Sequence, residues 1–486
     1  MLLKDILKGT NVILNADQQS IEVKQVKIKI EEICKGDLFL DLNGTSNIND
    51  VLKEKPAFVV RFAPKNKNEG RNIYSYNDMR GLFAIACKNL SYCACDDLTI
   101  IGVTGTNGKT STVKLIADIL KQSGKKVATI GTMGAEFLGT VVDTGFTTPD
   151  PDILHDLLYK MRLSGVTHVV MEVSAHAIYL KKLEGIKFEV LAITNITQDH
   201  LDFFETIENY SQTKLKIFNK KNVKQAVVCA DDERCRQLIQ KPKIPTISYG
   251  TECPSDIFAI DIKTSFKGTS FICNCLDEIF RVDSRLVGDY NVLNILCAIG
   301  VCNLLKLQLR DICMGILNSE SEVGRFNVTR FNGINVVIDY AHTPDGLQKV
   351  LNTTRGLCSG KVFLVFGCGG NRDSAKRPIM GSIAQLYCDH VILTSDNPRF
   401  EEPYKIIEDI KKGMTEKFEI EVDRRTAIYK GLSMCGENDC IIIAGKGGEK
   451  YQDIKGQKIP YSDFDEVYKF FRKWLAVYQH GEAYGN

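Results

Sequence analysis

Gly105-Thr-Asn-Gly-Lys-Thr110 places two glycines, a lysine and a hydroxyl within one short turn, and Ser111 follows. Glycines let backbone N–H groups close around phosphate oxygens, and lysine adds a full positive charge. The Thr110 hydroxyl is placed to meet Mg²⁺. The longer form of such a loop asks for glycine at 103, where Val103 stands, so the pattern is the shorter G-x-x-G-K-T. The chemistry implied is binding of a nucleoside triphosphate by Gly105, Thr106, Asn107, Gly108, Lys109, Thr110 and Ser111. Further along, Glu172 precedes Ser174 and His176, and Asn195 precedes Asp199, His200 and Asp202. An acid and a histidine near a triphosphate loop are the oxygen and nitrogen donors a catalytic Mg²⁺ can use. Taken alone, His200 reads more simply as a hydrogen-bonded structural residue.

The elements that must hold these residues follow from the apolar pattern. The run from Leu98 to Val103 predicts a strand, and Val113, Leu115, Ile116, Ile119 and Leu120 predict the helix after the loop. Runs at 126–130, 168–173, 190–195 and 226–229 predict further strands between helices, hence a parallel sheet buried on both faces. A β-rich insert is expected around Ile257 to Val282. The alternation restarts near Gly324, with strands at 336–339, 362–366, 390–393 and 440–444, as in a second doubly wound α/β unit. Its glycine turns, 367–370 and 445–448, fall at strand C-termini, where such sheets bind ligands. Before residue 96 lie β-like runs at Val12–Leu14 and Ala57–Val60 and a polar stretch from Pro64 to Arg71. The expected class is therefore α/β with three domains: 1–96, smaller and α/β; 97–322, a central P-loop ATPase-like parallel sheet; and 323–486, Rossmann-like. About three cores is also what 486 residues require.

Bulk composition narrows the function classes. Hydrophobic residues make up 44% and charged residues 25%, as in soluble globular proteins. A net charge of +2 offers no global field for nucleic acid or anionic lipid, so anionic substrates must be held by local charges. The first residues, Met1 to Lys8, carry acid and base inside a short apolar pattern, which is not a signal peptide. No uncharged run approaches the roughly 18 residues of a membrane span. Seventeen cysteines, an odd number scattered from Cys34 to Cys440, suggest free thiols in a reducing cytoplasm. The C-x-C pairs Cys93/Cys95 and Cys273/Cys275 read as small buried thiols rather than zinc half-sites.

In Thr194-Asn-Ile-Thr-Gln-Asp-His-Leu-Asp202, Glu208-Asn-Tyr210 and Lys214, together with the glycine loop, the chain resembles the Mur ligases. These are ATP-dependent enzymes that build the peptidoglycan stem peptide. The resemblance continues through Gly288-Asp-Tyr-Asn-Val-Leu-Asn294, Gly324-Arg325 and Asp339-Tyr-Ala-His-Thr-Pro-Asp345. It also takes in Gly367-Cys-Gly-Gly-Asn-Arg-Asp373, Lys376-Arg-Pro378, Asp396-Asn-Pro-Arg399, Asp423-Arg-Arg425 and Gly445-Lys-Gly447.

The resemblance implies a nucleotide-sugar domain, an ATP domain and an amino-acid domain in that order. The family's reaction phosphorylates the terminal carboxylate of a UDP-sugar peptide, and an incoming amine then displaces phosphate from the acyl phosphate. By matching position, Lys109 holds the β/γ-phosphates and Thr110 one Mg²⁺, while Glu172, His200 and a carbamylated Lys214 serve another. Asn291, Arg325 and Asp339 join the ATP site, and Thr147, Thr148, Ser174 and Lys182 hold the UDP-sugar peptide. Arg372, Asp396, Asn397, Arg399, Gly445 and Glu449 form the amino-acid pocket. The Asp-Asn-Pro-Arg version goes with meso-diaminopimelate, whose distal carboxylate Arg399 can grip and which L-lysine lacks. The expected substrates are thus ATP, UDP-N-acetylmuramoyl-L-alanyl-D-glutamate (UDP-MurNAc-dipeptide) and meso-diaminopimelate. The expected form is a cytoplasmic monomer that neither binds nucleic acid nor enters a membrane.

Several positions depart from the family. Lys29-Ile30-Glu31 stands where a uridine-binding Asp-Ser-Arg is expected, and Asn47-Ile-Asn-Asp50 roughly where Asp-Gly-x-x-Phe would follow. No side chain is therefore assigned to the uridine. Lys182 replaces an arginine, keeping the charge without the fork, and Gly448 replaces a histidine. These differences leave open an L-lysine enzyme or a ligase with another acceptor, as in folylpolyglutamate synthetases. A non-catalytic descendant would be expected to lose loop or metal positions, yet Lys109, Thr110, Glu172, His200 and Lys214 are all present.

Overall fold

The computed structural model describes residues 1–481 apart from Arg71 and Lys417. Among the described residues three large sheets occupy successive stretches of chain, and a two-stranded hairpin, Tyr451–Ile454 with Gln457–Pro460, follows the third. The first runs in the order Val26–Lys27, Leu38–Asp41, Phe58–Phe62, Ile73–Tyr76, Lys67–Gly70, parallel except for its last strand. Its inward residues Leu38, Leu40, Phe58 and Val60 pack on Leu82, Phe83 and Ala86 of the helix Met79–Leu90. Two expectations change here. The run Val12–Leu14 is not a strand: Ile13 is 76% exposed, and its N–H donates to the Tyr74 hydroxyl rather than to a ladder. The polar stretch does contain a strand, Lys67–Gly70, which is exposed along its whole length at the sheet edge.

The second sheet has eleven strands. Its central members, in spatial order, are Val223–Cys229, Phe188–Ile193, Thr99–Thr104, His168–Glu172 and Val127–Gly131, all parallel. Near-continuous Val/Ile/Leu runs make these strands, because one face meets Leu154, Leu158 and Met161 and the other Ile116, Leu120, Val292 and Leu296. The expected β-rich insert is present, and its strands join this same sheet. Strand Ile257–Ser265 pairs in parallel with Thr246–Gly250, and two antiparallel strands, Gly268–Cys275 and Glu278–Ser284, extend the same sheet. Alternation along Gly268–Cys275 buries Phe271, Cys273 and Cys275 under the helix Asp289–Leu304. Cys95 is buried as well, whereas Cys93 is only half-buried.

The third sheet is ordered Asn327–Phe331, Ile334–Asp339, Cys440–Ala444, Val362–Phe366, His390–Leu393, Phe418–Ile420, with only the first strand antiparallel. Helices Pro344–Leu357, Lys376–Tyr387 and Pro403–Lys411 cover one face, and Arg424–Met434 with Asp463–Gly481 covers the other. The parallel strand C-termini lead into Tyr340, Gly445, Gly367 and Asp396, and these point the third lobe at the glycine loop of the second.

Candidate active site

The loop leaving the Thr99–Thr104 strand turns on Gly105 and Gly108, with φ of +142° and +85°. A Cβ at Gly105 would run into Thr194 Oγ1, and one at Gly108 into Asn294 Oδ1, so neither turn admits a side chain. The tail of the neighbouring strand braces the loop. Thr106 N donates to Asn195 O (2.9 Å), Asn107 N to Asn195 Oδ1 (3.0 Å) and Thr194 Oγ1 to Asn107 O (2.6 Å). Helix Lys109–Gln122 then begins with its N-terminus at the cavity, the polarity that favours an anion.

Two lysines converge on one carbonyl. Lys109 Nζ donates to Gly105 O at 3.0 Å and to Thr106 O at 2.8 Å, while Lys214 Nζ donates to the same Gly105 O at 2.9 Å. Lys214, on helix Ile207–Lys216, is buried, with its ammonium nitrogen 4.8 Å from the Tyr210 ring centroid. Burial, reinforced by the charge on Lys109, drives its pKa well below that of an ordinary lysine. Burial also lowers Lys109.

Glu172 ends strand His168–Glu172, one of the two strands flanking the loop strand. Its Oε1 accepts from Thr110 Oγ1 (2.9 Å) and Thr132 N (3.0 Å), and its Oε2 from Thr132 Oγ1 (3.2 Å). Thr147 Oγ1 lies 3.1 Å from Thr132 Oγ1. Among the described residues no three His, Cys, Asp or Glu side chains form a ready-made metal cage. The Thr110–Glu172 pair nevertheless offers the hard oxygen donors that suit Mg²⁺, an ion that keeps water and phosphate for the rest of its shell.

His200 sits in a left-handed turn (φ +56°), 3.4 Å from Asp199 Oδ2 and edge-on to His176 at 4.8 Å. Burial lowers its pKa, which favours the neutral imidazole that can ligate a metal. Burial opposes ionisation of Asp199, but His200, His342, Lys376 and Lys109 outweigh it and hold that carboxyl below its usual range.

The third lobe closes the cavity. Arg325 Nη2 donates to Thr110 Oγ1 at 3.3 Å, with its guanidinium 4.4 Å above the Tyr340 ring, and Asn107 Nδ2 donates to Asp345 Oδ2 at 2.8 Å. Asp339 accepts from the N–H groups of Phe326 (2.7 Å) and Ala341 (2.6 Å), which ties the connecting segment to the third sheet; burial raises its pKa. Asn291 Nδ2 donates to Val287 O at 2.8 Å and its Oδ1 accepts from Asn294. On the far wall Asn397 Nδ2 donates to Glu449 Oε2 (2.8 Å), and Arg399 Nη1 donates to Gly370 O (2.7 Å). Gly445 has φ +113°, with Asp396 Oδ2 filling the space where a Cβ would stand.

One cavity of about 370 Å³ is lined by loop residues 106–111 and by Thr147, Glu172, His200, Asn291, Arg325 and Asp339. The same cavity reaches Arg372, Asp396, Asn397, Arg399, Gly445 and Glu449. Gly105, Thr148, Ser174, Lys182 and Lys214 stand outside its lining. Lys214 lies beneath Gly105. The Thr148 hydroxyl is engaged internally, donating to Glu172 O (2.9 Å) and accepting from Ser174 N (3.0 Å). Ser174 caps helix Ala175–Tyr179, and Lys182 pairs with Asp150 at 2.8 Å beside the Phe146 ring.

Sequence reasoning assigned no site role to several residues that the cavity uses. Asp199, His342 and Lys376 lie inside motifs quoted above, so proximity to assigned positions was the available signal. The Ser319–Glu322 segment also lines the cavity, and its polar sequence carries no pattern that would have marked it.

Comparison with known proteins agrees with this geometry. Residues 103–302 match the Mur ligase middle domain, and residues 324–447 the Mur ligase glutamate ligase domain. The UDP-N-acetylmuramoyl-L-alanyl-D-glutamate–2,6-diaminopimelate ligase of Aquifex aeolicus is 37% identical, covering 92% of this chain and 93% of its own. Its namesake in Clostridium tetani is also 37% identical, covering 96% and 98%. A solved structure of a ligase of that name superposes with a TM-score of 0.71 at 29% identity, covering 98% of this chain and 99% of its own. Thermotoga maritima MurF ligase in complex with ADP shares the fold, with a TM-score of 0.61 at 20% identity over 94% and 98%. With its three successive sheets and both domain matches in order, the chain belongs to the Mur ligase family.

Proposed function

We propose that this chain is an ATP-dependent, ADP-forming ligase that adds meso-diaminopimelate to UDP-N-acetylmuramoyl-L-alanyl-D-glutamate through an acyl phosphate. The observation that carries the reading is a single cavity shared by two chemistries. The glycine loop with Lys109 and the Thr110–Glu172 pair lies on one wall; Arg372, Arg399, Asn397 and Glu449 lie on the other. Residues 1–96 serve as the nucleotide-sugar domain, 97–322 as the ATP domain and 323–486 as the amino-acid domain.

The reaction must bring a carboxylate and a triphosphate together against their mutual repulsion. The loop N–H groups, the helix N-terminus and Lys109 hold the phosphates; Arg325, already at Thr110, adds a second cation from the opposite lobe. Asn291 and Asp339 border the same nucleotide. Two Mg²⁺ ions, one held by Thr110 and the other by Glu172, His200 and a carbamate on Lys214, would supply charge screening between the two anions. Lys214 is suited to that modification because CO₂ adds to a neutral amine. The N–C bond forms as a proton leaves, and burial has already removed much of the preference for the ammonium.

Thr147, Thr148, Ser174 and Lys182 form the dipeptide side. Arg399 and Arg372 take the distal carboxylate of diaminopimelate, and Glu449 its ammonium, leaving the reacting amine to attack the acyl phosphate. A reducing compartment such as the cytoplasm fits 17 cysteines that are all unpaired. The enzyme works as a monomer, since one chain supplies both walls.

Phosphate release with UDP-MurNAc-dipeptide tests the proposal. Release is expected with meso-diaminopimelate and far less with L-lysine. Release with lysine alone would favour the lysine enzyme. Release with neither would favour another acceptor, the reading that the missing uridine motif at Lys29-Ile30-Glu31 supports.

A further inference from the structure

Behind the amino-acid wall, Lys446 is completely buried and takes no part in the cavity lining. Its Nζ donates to Asn397 Oδ1 at 2.9 Å and to Glu449 Oε2 at 2.8 Å. Asn397 Nδ2 donates to the same Oε2 at 2.8 Å, and Asp453 N donates to Asn397 Oδ1 at 2.9 Å. The carboxylate that Glu449 presents to the cavity is therefore held, and its charge offset, from the rear. At this end of the cavity Arg372, Lys376 and Arg399 line the wall with Asp373, Asp396 and Glu449, and behind it lie Lys446 and Asp453, the latter 3.8 Å from Arg399 Nε. Cations and anions balance. Without the lysine they would not, and the pocket would carry one uncompensated negative charge.

We propose that Lys446 is a specificity-determining residue, setting the pocket to accept an amino acid whose distal end is a zwitterion and to reject one whose distal end is a lone ammonium. The inference rests on the diaminopimelate reading above. A neutral pocket gains nothing from an unbalanced cation, whereas a net negative one attracts it, and in a partly desolvated site one unit charge is felt strongly. A distal zwitterion brings no net charge. It is recognised instead by its two local contacts, with Arg399 and Glu449, so it depends less on the balance. Arg399 thus selects for the distal carboxylate, and Lys446 selects against its absence.

The test compares kcat/KM for meso-diaminopimelate and L-lysine in wild type and Lys446→Gln, whose amide keeps a donor toward Asn397 and Glu449. The diaminopimelate-to-lysine ratio should fall at least tenfold, mainly through a lower KM for lysine, with the KM for ATP unchanged. A ratio within twofold of wild type would overturn the inference. So would an equal loss with both amino acids and with ATP, since that is what a merely structural role predicts. Lys446→Met serves if the glutamine variant does not fold. Glu449→Gln, at a partly exposed position, supplies an opposite check: it should raise the ratio, and a fall would count against the proposal. Absence of wild-type turnover with diaminopimelate would instead sink the functional reading and leave the charge balance untouched.

Discussion

The carbonyl oxygen of Gly105 is where the chemistry of this molecule is most concentrated, because Lys109 and Lys214 both donate to it. They are not equivalent. Lys109 can rotate from the loop carbonyls toward phosphate, whereas Lys214 is buried with nothing but the loop to serve. Lys109→Met should lower kcat by at least a thousandfold, roughly 4 kcal/mol of transition-state stabilisation; turnover within tenfold of wild type would contradict its role. For Lys214, a carbamate carbon should appear by NMR in ¹³C-bicarbonate and vanish in Lys214→Ala. Because burial lowers the amine's pKa, that signal should persist at neutral pH and disappear only once acid protonates the nitrogen.

Arg399→Lys keeps the charge and loses the fork; the KM for diaminopimelate should rise about tenfold or more, near 1.4 kcal/mol, with the KM for ATP unchanged. That Lys109, Thr110 and Arg399 border the cavity was legible from sequence because each lies within a contiguous motif. Lys446 sits in such a motif too, but its burial behind Glu449 depends on residues about fifty positions away, and no local pattern carries that.

At the scale of elements, the parallel strands were legible because burial on both faces demands uninterrupted Val, Ile and Leu. Edges were harder. Val12–Leu14 has strand-like composition yet Ile13 N donates to the Tyr74 hydroxyl, and the strands after Ile257 were legible as strands but not as the extension of the central sheet. Helix Pro151–Leu163 makes a prediction that composition alone would not. His155 is 1% exposed on that helix with Nε2 unpaired, and burial pushes its pKa down to about 4. Between pH 4 and the ordinary value of 6.5 the unfolded chain binds the extra proton and the folded one does not, so stability falls as the solution is acidified. From pH 7 to pH 5 this group should cost about 2 kcal/mol. In His155→Leu, urea unfolding should show that much less loss over the same interval; an unchanged pH slope would contradict the buried neutral imidazole.

At the scale of the whole molecule, the site exists only because two lobes meet. Besides the Arg325–Thr110 and Asn107–Asp345 contacts, the connecting segment packs on the glycine turn of the third lobe. A Cβ at Gly324 would strike Gly448 N, and one at Gly448 would lie 2.6 Å from Val323 O. Glycine in place of the family's histidine at 448 therefore permits a close approach that no side chain allows. Gly448→His should pry the segment from the turn, lower kcat at least tenfold and enlarge the radius of gyration seen by X-ray scattering. Unchanged compactness with full activity would contradict the interlock.

Sequence named the residues on both walls; that they share one cavity is a property of the folded arrangement alone. An isotope experiment tests the acyl phosphate directly. With ¹⁸O in the terminal glutamyl carboxylate of UDP-MurNAc-dipeptide, turnover with ATP and meso-diaminopimelate should deliver one labelled oxygen to each inorganic phosphate released. Phosphate free of ¹⁸O, alongside amide product, would contradict the acyl phosphate on which the whole reading depends.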